Sequence, residues 1–138
     1  MIQRIQTIWL LLVAIFAAVT FRFPFANGDW AKDTVPTSVP LDASSTTWLT
    51  VMTILCGALA FVNIFLFDNR KLQLRLCFVG ALLTAGLLAL YFVEMTNYTS
   101  SVIALWCIFP FAMLGCYILA ARGIRKDDQL IRSMDRLR

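Results

Sequence analysis

The stretch LCFVGALLTAGLLALYFV, residues 76–93, decides the fold of this chain. It runs for 18 residues without a charge and lies between Arg75 and Glu94. At a rise of about 1.5 Å per residue, a helix of this length is about 27 Å long. That length matches a bilayer hydrocarbon core of about 30 Å. The stretch is therefore a predicted transmembrane helix.

Three further stretches of similar length and apolar character precede or follow it in the chain, at residues 5–21, 48–67 and 101–121. Of the 138 residues, 60% are hydrophobic and only 14% are charged, against roughly 25% charged residues in soluble domains. The sequence therefore predicts an all-α membrane protein in which residues 1–138 form one domain, a four-transmembrane-helix bundle. The segment 22–47 becomes an external loop and 122–138 a cytoplasmic tail.

The distribution of basic residues predicts the orientation of this bundle. If the N-terminus is cytoplasmic, ten basic residues lie inside and two, Arg22 and Lys32, lie outside. The inside set is Arg4, Arg70, Lys71, Arg75, Arg122, Arg125, Lys126, Arg132, Arg136 and Arg138. An excess of this kind is typical of cytoplasmic loops under the positive-inside rule. Both termini are therefore predicted to be cytoplasmic.

The tail has the pattern of an amphipathic helix. Ile124, Ile131, Met134 and Leu137 share one helical face, and Asp128 precedes Arg132 by four residues, the favourable order for an intrahelical ion pair. Such a helix lies on anionic headgroups or docks to a cytoplasmic partner. Three acidic residues in the tail favour docking, because a purely lipid-binding helix has little use for them.

Residues that carry enzyme chemistry are scarce. The chain has no histidine, which removes the commonest general base and the commonest metal ligand. The four cysteines form no CxxC pair, and the sequence contains no glycine-rich phosphate loop. We therefore expect no enzymatic activity and no cofactor. The positive charge follows from membrane topology, and we expect no nucleic-acid binding.

Two residues inside the predicted spans are candidates for an intramembrane function. Asn63 in the second span either lines a pore or bonds a neighbouring helix, and the second role is the commoner. Pro110 lies near the middle of the fourth predicted span, where proline removes a hydrogen bond and predicts a kink. Such a kink opens a pocket, acts as a hinge or simply fits the packing.

Three stretches together resemble a known family. They are MIQRIQTI at 1–8, FDNRKLQLRLC at 67–77 and IRKDDQLIRSMDRLR at 124–138. They are similar to the Bacteroidetes membrane proteins called domain of unknown function 4293 (DUF4293), over essentially the whole chain. The resemblance implies a bacterial inner-membrane protein with four spans. It implies no catalytic residues, because the family carries no established activity.

All three stretches lie on the predicted cytoplasmic side and predict a partner-binding face there. The candidate residues are Arg4, Arg70, Lys71, Arg75, Arg125, Lys126, Asp127, Asp128, Arg132, Asp135 and Arg136. The same charges also serve, on a simpler interpretation, only to fix topology. The leading hypothesis is a non-enzymatic accessory or assembly subunit. The alternatives are a small-solute transporter or channel, acting as a homo-oligomer, and a lipid- or quinone-binding membrane protein.

Overall fold

Four helices make up most of the protein. The computed structural model describes residues 3–30, 38–66 and 69–137, with Gln3, Arg4 and Trp30 described by their backbone alone. The helices are α1 (Gln3–Val19), α2 (Thr47–Phe65), α3 (Arg70–Met95) and α4 (Ile108–Asp135). A short 3₁₀ turn, Leu105–Cys107, leads into α4. With that turn, α4 is long and apolar enough to cross a membrane, as are α2 and α3, whereas α1 is a shorter apolar helix of 17 residues.

The helices form a closed bundle in which each packs against two others. Helix α2 lies against α3, and α3 against α4. Helix α1 completes the ring by packing against α2 and α4. The bundle has two different ends. The basic end holds the start of α1, the end of α2, the start of α3 and residues 122–135 of α4, and the sheet end is the opposite one.

A small antiparallel sheet covers the sheet end, and the all-α prediction is wrong there. Its strands are β1 (Ala26–Trp30), β2 (Ser38–Leu41) and β3 (Tyr98–Ile103), in the order β2-β1-β3. Ala26 pairs with Leu41 on one side and with Ile103 on the other. The predicted start of the fourth span at residue 101 is therefore also wrong, because residues 101–103 belong to β3. Their backbone groups bond to β1, and α4 begins only at Ile108.

The later start of α4, at Ile108, also corrects the predicted position of Pro110. Pro110 is the third residue of α4, in its first turn. The first N–H groups of a helix have no carbonyl partner within it, so proline costs α4 little hydrogen bonding there. The predicted kink in the middle of the fourth helix therefore has no basis in the fold.

Two hydrophobic clusters hold the structure together. At the sheet end, the Phe25 and Tyr91 rings stack with centroids 4.5 Å apart, beneath the sheet. Inside the bundle, Tyr117 of α4 is fully buried and donates a hydrogen bond of 2.6 Å to the carbonyl oxygen of Cys56 in α2. Gly80 of α3 lies against the Tyr117 ring, where a Cβ would overlap it. The absence of a side chain at Gly80 therefore lets α3 approach α4 closely.

Candidate functional site

A seam of mostly apolar residues runs along α4 and leads to the basic end. Its residues follow the alternating spacing of four and three that is typical of helix–helix cores. In chain order the α4 seam consists of Met113, Tyr117, Ala120, Ile124, Asp127, Ile131 and Met134. The first five are buried, from 0% to 7% exposed. The last two are 39% and 68% exposed, so the seam continues where no other described helix covers it.

The last turns of α4 project beyond the bundle. The helix is continuous from Ile108 to Asp135, so the predicted amphipathic tail is an extension of the fourth helix. Every residue from Gln129 to Leu137 is exposed. From Asp127 to Asp135 the helix rises about 12 Å, at about 1.5 Å per residue. This projecting segment, residues 129–137, presents the uncovered part of the seam.

Asp127 lies inside the bundle and not on the exposed face that the sequence predicted for it. Its side chain is 7% exposed, and its Oδ2 accepts a hydrogen bond from the side-chain amide of Gln6 in α1. Its Oδ1 is buried and has no hydrogen-bond partner among the residues described. Asp127 therefore ties α4 to α1 and is removed from the candidate partner face.

A second polar contact joins α2 and α3 at the same end. Asn63 is fully buried, and its amide nitrogen donates to the carbonyl oxygen of Gln73 at 3.3 Å and to the sulfur of Cys77 at 3.1 Å. The Gln73 amide donates in return to the carbonyl oxygen of Asn63 at 3.3 Å. Asn63 thus bonds a neighbouring helix, which is the commoner of its two predicted roles.

Each helix therefore contributes one buried polar side chain to the basic end. The four are Gln6, Asn63, Gln73 and Asp127. Sequence reasoning singled out Asn63 and Asp127 but missed Gln6 and Gln73. In the sequence, each of these two residues is a glutamine near the start of an otherwise apolar helix. That feature alone does not reveal a hydrogen-bond partner on another helix.

The structure brings several of the predicted basic residues together in a groove between α3 and α4. The groove is lined by Arg70, Lys71, Leu74, Ile124, Arg125, Asp128, Gln129 and Arg132. Within it, Arg132 and Asp128 form an ion pair of 2.9 Å, which confirms the predicted intrahelical pair. The Arg132 side chain is 67% exposed and the Asp128 side chain 37%, so solvent screens the pair and it adds little to stability. Its effect is to leave Arg70, Lys71 and Arg125 as an excess of positive charge.

The other predicted residues are more scattered. Arg75 and Lys126 are exposed and do not line this groove. Asp135 and Arg136 border a shallow depression on the projecting segment, beside Arg132. The side chain of Arg4 lies outside the described residues.

The interior of the bundle is apolar where the helices are most tightly packed. Leu10, Val13, Cys56, Cys77 and Met113 are all 0% exposed and belong to one cluster. Cys56, Cys77 and Cys116 are buried as free thiols. Among the described residues, no group of three or more His, Cys, Asp or Glu side chains is placed to hold a metal ion.

Long apolar helices, packed as a bundle with most of the basic residues gathered at one end, define a protein of the multi-pass membrane class. Residues 2–137 match the family model described as Domain of unknown function (DUF4293). The chain belongs to this family, which confirms the resemblance found in the sequence. Comparison with curated proteins and with solved structures found no match.

Proposed function

We propose that this protein is a non-enzymatic accessory or assembly subunit of a bacterial inner membrane. In this proposal all four helices span the bilayer, both termini are cytoplasmic, and the projecting segment of α4 docks a helix of a partner protein. The observation that carries the proposal is the α4 seam, which continues through Ile131 and Met134 after the bundle has ended.

The uncovered seam needs a partner for a physical reason. Contiguous exposed apolar surface on a protein marks an interaction site, and the projecting segment carries such a surface. Leu130, Ile131, Met134 and Leu137 are from 39% to 89% exposed on this segment. If α4 spans the bilayer as proposed, its tail points away from the bilayer and does not lie flat on it, because the tail continues the same helix. A protein helix is therefore the occupant that best fits the seam.

Charges beside the seam define the chemistry of that partner. Arg132 and Arg136 lie one turn apart on the projecting segment, which also carries Asp135, and Asp128 lies one turn before Arg132. Charges that flank an apolar seam select the orientation and identity of a partner helix in coiled coils. We expect the partner to present an apolar helical stripe flanked by charges of both signs.

The proposed orientation is supported by the basic end of the bundle. Arg70, Lys71, Arg75, Arg122, Arg125, Lys126, Arg132 and Arg136 all belong to this end. At the sheet end, Arg22 is the described basic residue. Cytoplasmic segments carry such an excess of Lys and Arg, so the basic end is proposed to face the cytoplasm.

The test is affinity purification of the tagged full-length protein from its native membrane in mild detergent. Bound proteins are identified by mass spectrometry, and the mass of the intact particle is measured. The variant Ile131→Glu with Met134→Glu places two charges in the seam. The matched control, Gln129→Glu with Ser133→Glu, adds the same two charges on exposed positions of the same turns.

We expect a stoichiometric partner that is lost from the seam variant and retained by the control. A truncation after Gln129 has the same expected effect. A truncation at Arg122 is unsuitable, because it removes the buried residues Ile124 and Asp127 from the bundle. A monomer without a protein partner, or a partner that both variants retain, overturns the proposal. If the particle contains only copies of this chain, the α4 seam binds another copy of the protein instead of a different partner.

A further inference from the structure

A second groove between α3 and α4 lies next to the basic one, closer to the middle of the bundle. Its floor and walls come from both helices. It is lined by Cys77, Phe78, Ala81, Tyr117, Ile118, Ala121, Arg122 and Arg125. The apolar side chains lie along the groove, and the two arginines close it at the basic end. Its cavity volume is about 130 Å³.

Small residues and one fixed ring create this groove. Ala81 and Ala121 leave space between the helices, and Gly80 lets the Tyr117 ring lie directly against the α3 backbone. The hydroxyl of Tyr117 is held by the carbonyl oxygen of Cys56 at 2.6 Å. This hydrogen bond fixes the position of the ring that forms the floor of the groove.

The rim of the groove is held in place as well. The guanidinium carbon of Arg125 lies 4.8 Å from the centroid of the Phe78 ring, within the range of a cation–π contact. Arg125 also lines the adjoining basic groove with Arg70 and Lys71. The acidic residue of that groove, Asp128, is paired with Arg132. The positive charge of Arg122, Arg125, Arg70 and Lys71 at this point is therefore not neutralised by it.

We propose that the two grooves together bind one anionic phospholipid. An acyl chain lies in the apolar groove, and the phosphate of the headgroup is bound by Arg122 and Arg125, with Arg70 and Lys71 beside it. The cavity is smaller than the roughly 300–1,000 Å³ of typical small-molecule sites, so it suits a segment of a hydrocarbon chain better than a compact ligand. Arg122 directly follows the last predicted apolar span, at the depth where lipid phosphates lie.

This inference goes beyond the proposed docking function and is independent of it. Basic pockets between membrane helices on the cytoplasmic side are suited to anionic headgroups. Guanidinium groups match phosphate oxygens with two parallel hydrogen bonds. Ile131 and Met134, on which the docking proposal depends, line neither groove. The substitutions that test docking therefore leave the lipid site in place, and failure of either proposal leaves the other standing.

The test is native mass spectrometry of the full-length protein released from nanodiscs that contain equal amounts of phosphatidylglycerol and phosphatidylcholine. We expect one phosphatidylglycerol to be retained in preference to phosphatidylcholine. Arg122→Gln with Arg125→Gln lowers this preference by roughly 30-fold, since each basic residue near an anionic surface contributes about five-fold. The matched control, Lys126→Gln with Arg136→Gln, removes the same charge from exposed positions outside both grooves and leaves the preference unchanged.

Two further variants test the acyl-chain part of the site. Ala81→Phe fills the groove and keeps every charge, and Ile118→Trp covers the groove from an exposed position if Ala81→Phe does not fold. Either folded variant is expected to lose the retained lipid. The proposal is overturned if these folded variants retain the lipid fully. It is also overturned if the Arg122/Arg125 double variant and the Lys126/Arg136 control have equal effects, or if inorganic phosphate displaces the lipid.

Discussion

The side-chain amide of Gln6 donates a hydrogen bond to Oδ2 of Asp127, and this bond joins α1 to α4 across 121 positions of the chain. Both side chains are buried, at 6% and 7% exposure. No connecting segment holds these two helices together, because α1 is followed by α2. A Cβ on Gly123 would lie 3.1 Å from Cγ of Gln6, so the glycine gives the Gln6 side chain the room it needs. The bond therefore closes the bundle at its basic end.

Loss of this bond is expected to destabilise the bundle. Asp127→Ala leaves the Gln6 amide buried without its acceptor, which costs about 1–3 kcal/mol of unfolding free energy. Asp127→Asn keeps an oxygen acceptor at the same position, and we expect a smaller loss. The measurement is equilibrium unfolding in a mixed-micelle titration with the exposed Asp135→Asn as control. Equal stability of Asp127→Ala and the control would show that the bond contributes nothing.

Two glycines in the helices offer a matched pair of substitutions. Gly80→Val places a branched side chain into the Tyr117 ring, and overpacking of this kind costs about 1–3 kcal/mol. A Cβ on Gly115 in α4 would meet nothing within 4 Å. Gly115→Ala is therefore expected to be neutral or to stabilise by up to about 1 kcal/mol, because alanine favours the helix. Thermal unfolding of both variants in the same detergent tests the pair, and a Gly80→Val protein as stable as Gly115→Ala would contradict this interpretation of α3–α4 packing.

Much of the helical part of the fold could be predicted because apolar length is a strong signal. The predicted span 48–67 is close to α2, Thr47–Phe65. Helix α3 begins at Arg70, six residues before the apolar run, since a helix continues through polar residues once it leaves a hydrophobic layer. Strand β3 was missed because residues 101–103 are uncharged and join the next apolar run without a break. What makes them a strand is hydrogen bonding to β1, more than seventy positions earlier in the chain.

The candidate site was predictable only where it depends on local spacing. The tail helix and the Asp128–Arg132 pair follow from intervals of three and four residues, and both are present. The burial of Asp127 depends instead on Gln6, and the lipid groove depends on the contact between Gly80 and Tyr117. Pairings between distant helices leave no trace in local periodicity, so they could not be predicted.

The sheet is expected to depend on Gly28 in its central strand. A Cβ there would lie 2.7 Å from the carbonyl oxygen of Ser100 and 3.1 Å from Cα of Ser101, so β3 would have to move away. Gly28→Val should therefore speed amide hydrogen exchange in β3 markedly, while Asn27→Ala, at an exposed neighbouring position, should leave it unchanged. The exchange rate is measured by hydrogen-exchange mass spectrometry of the peptide covering Tyr98–Ile103. If the amides of β3 are equally protected from exchange in Gly28→Val, then β3 does not pair with β1 as described.

The last prediction concerns Asn63 and separates its two predicted roles. The amide nitrogen of Asn63 donates hydrogen bonds to Gln73 and Cys77 of α3. Asn63→Leu should therefore lower the unfolding free energy by up to about 1.7 kcal/mol, the maximum for hydrogen bonds between membrane helices, whose mean is about 0.6 kcal/mol. The substitution also removes the buried Oδ1, which has no partner in the part of the chain described here, so a value at the lower end is expected. Val62→Leu, at an exposed adjacent position, serves as the control and should be neutral. If Asn63→Leu leaves stability unchanged but alters solute flux into proteoliposomes, then Asn63 acts as a pore residue and the contact with α3 is incidental.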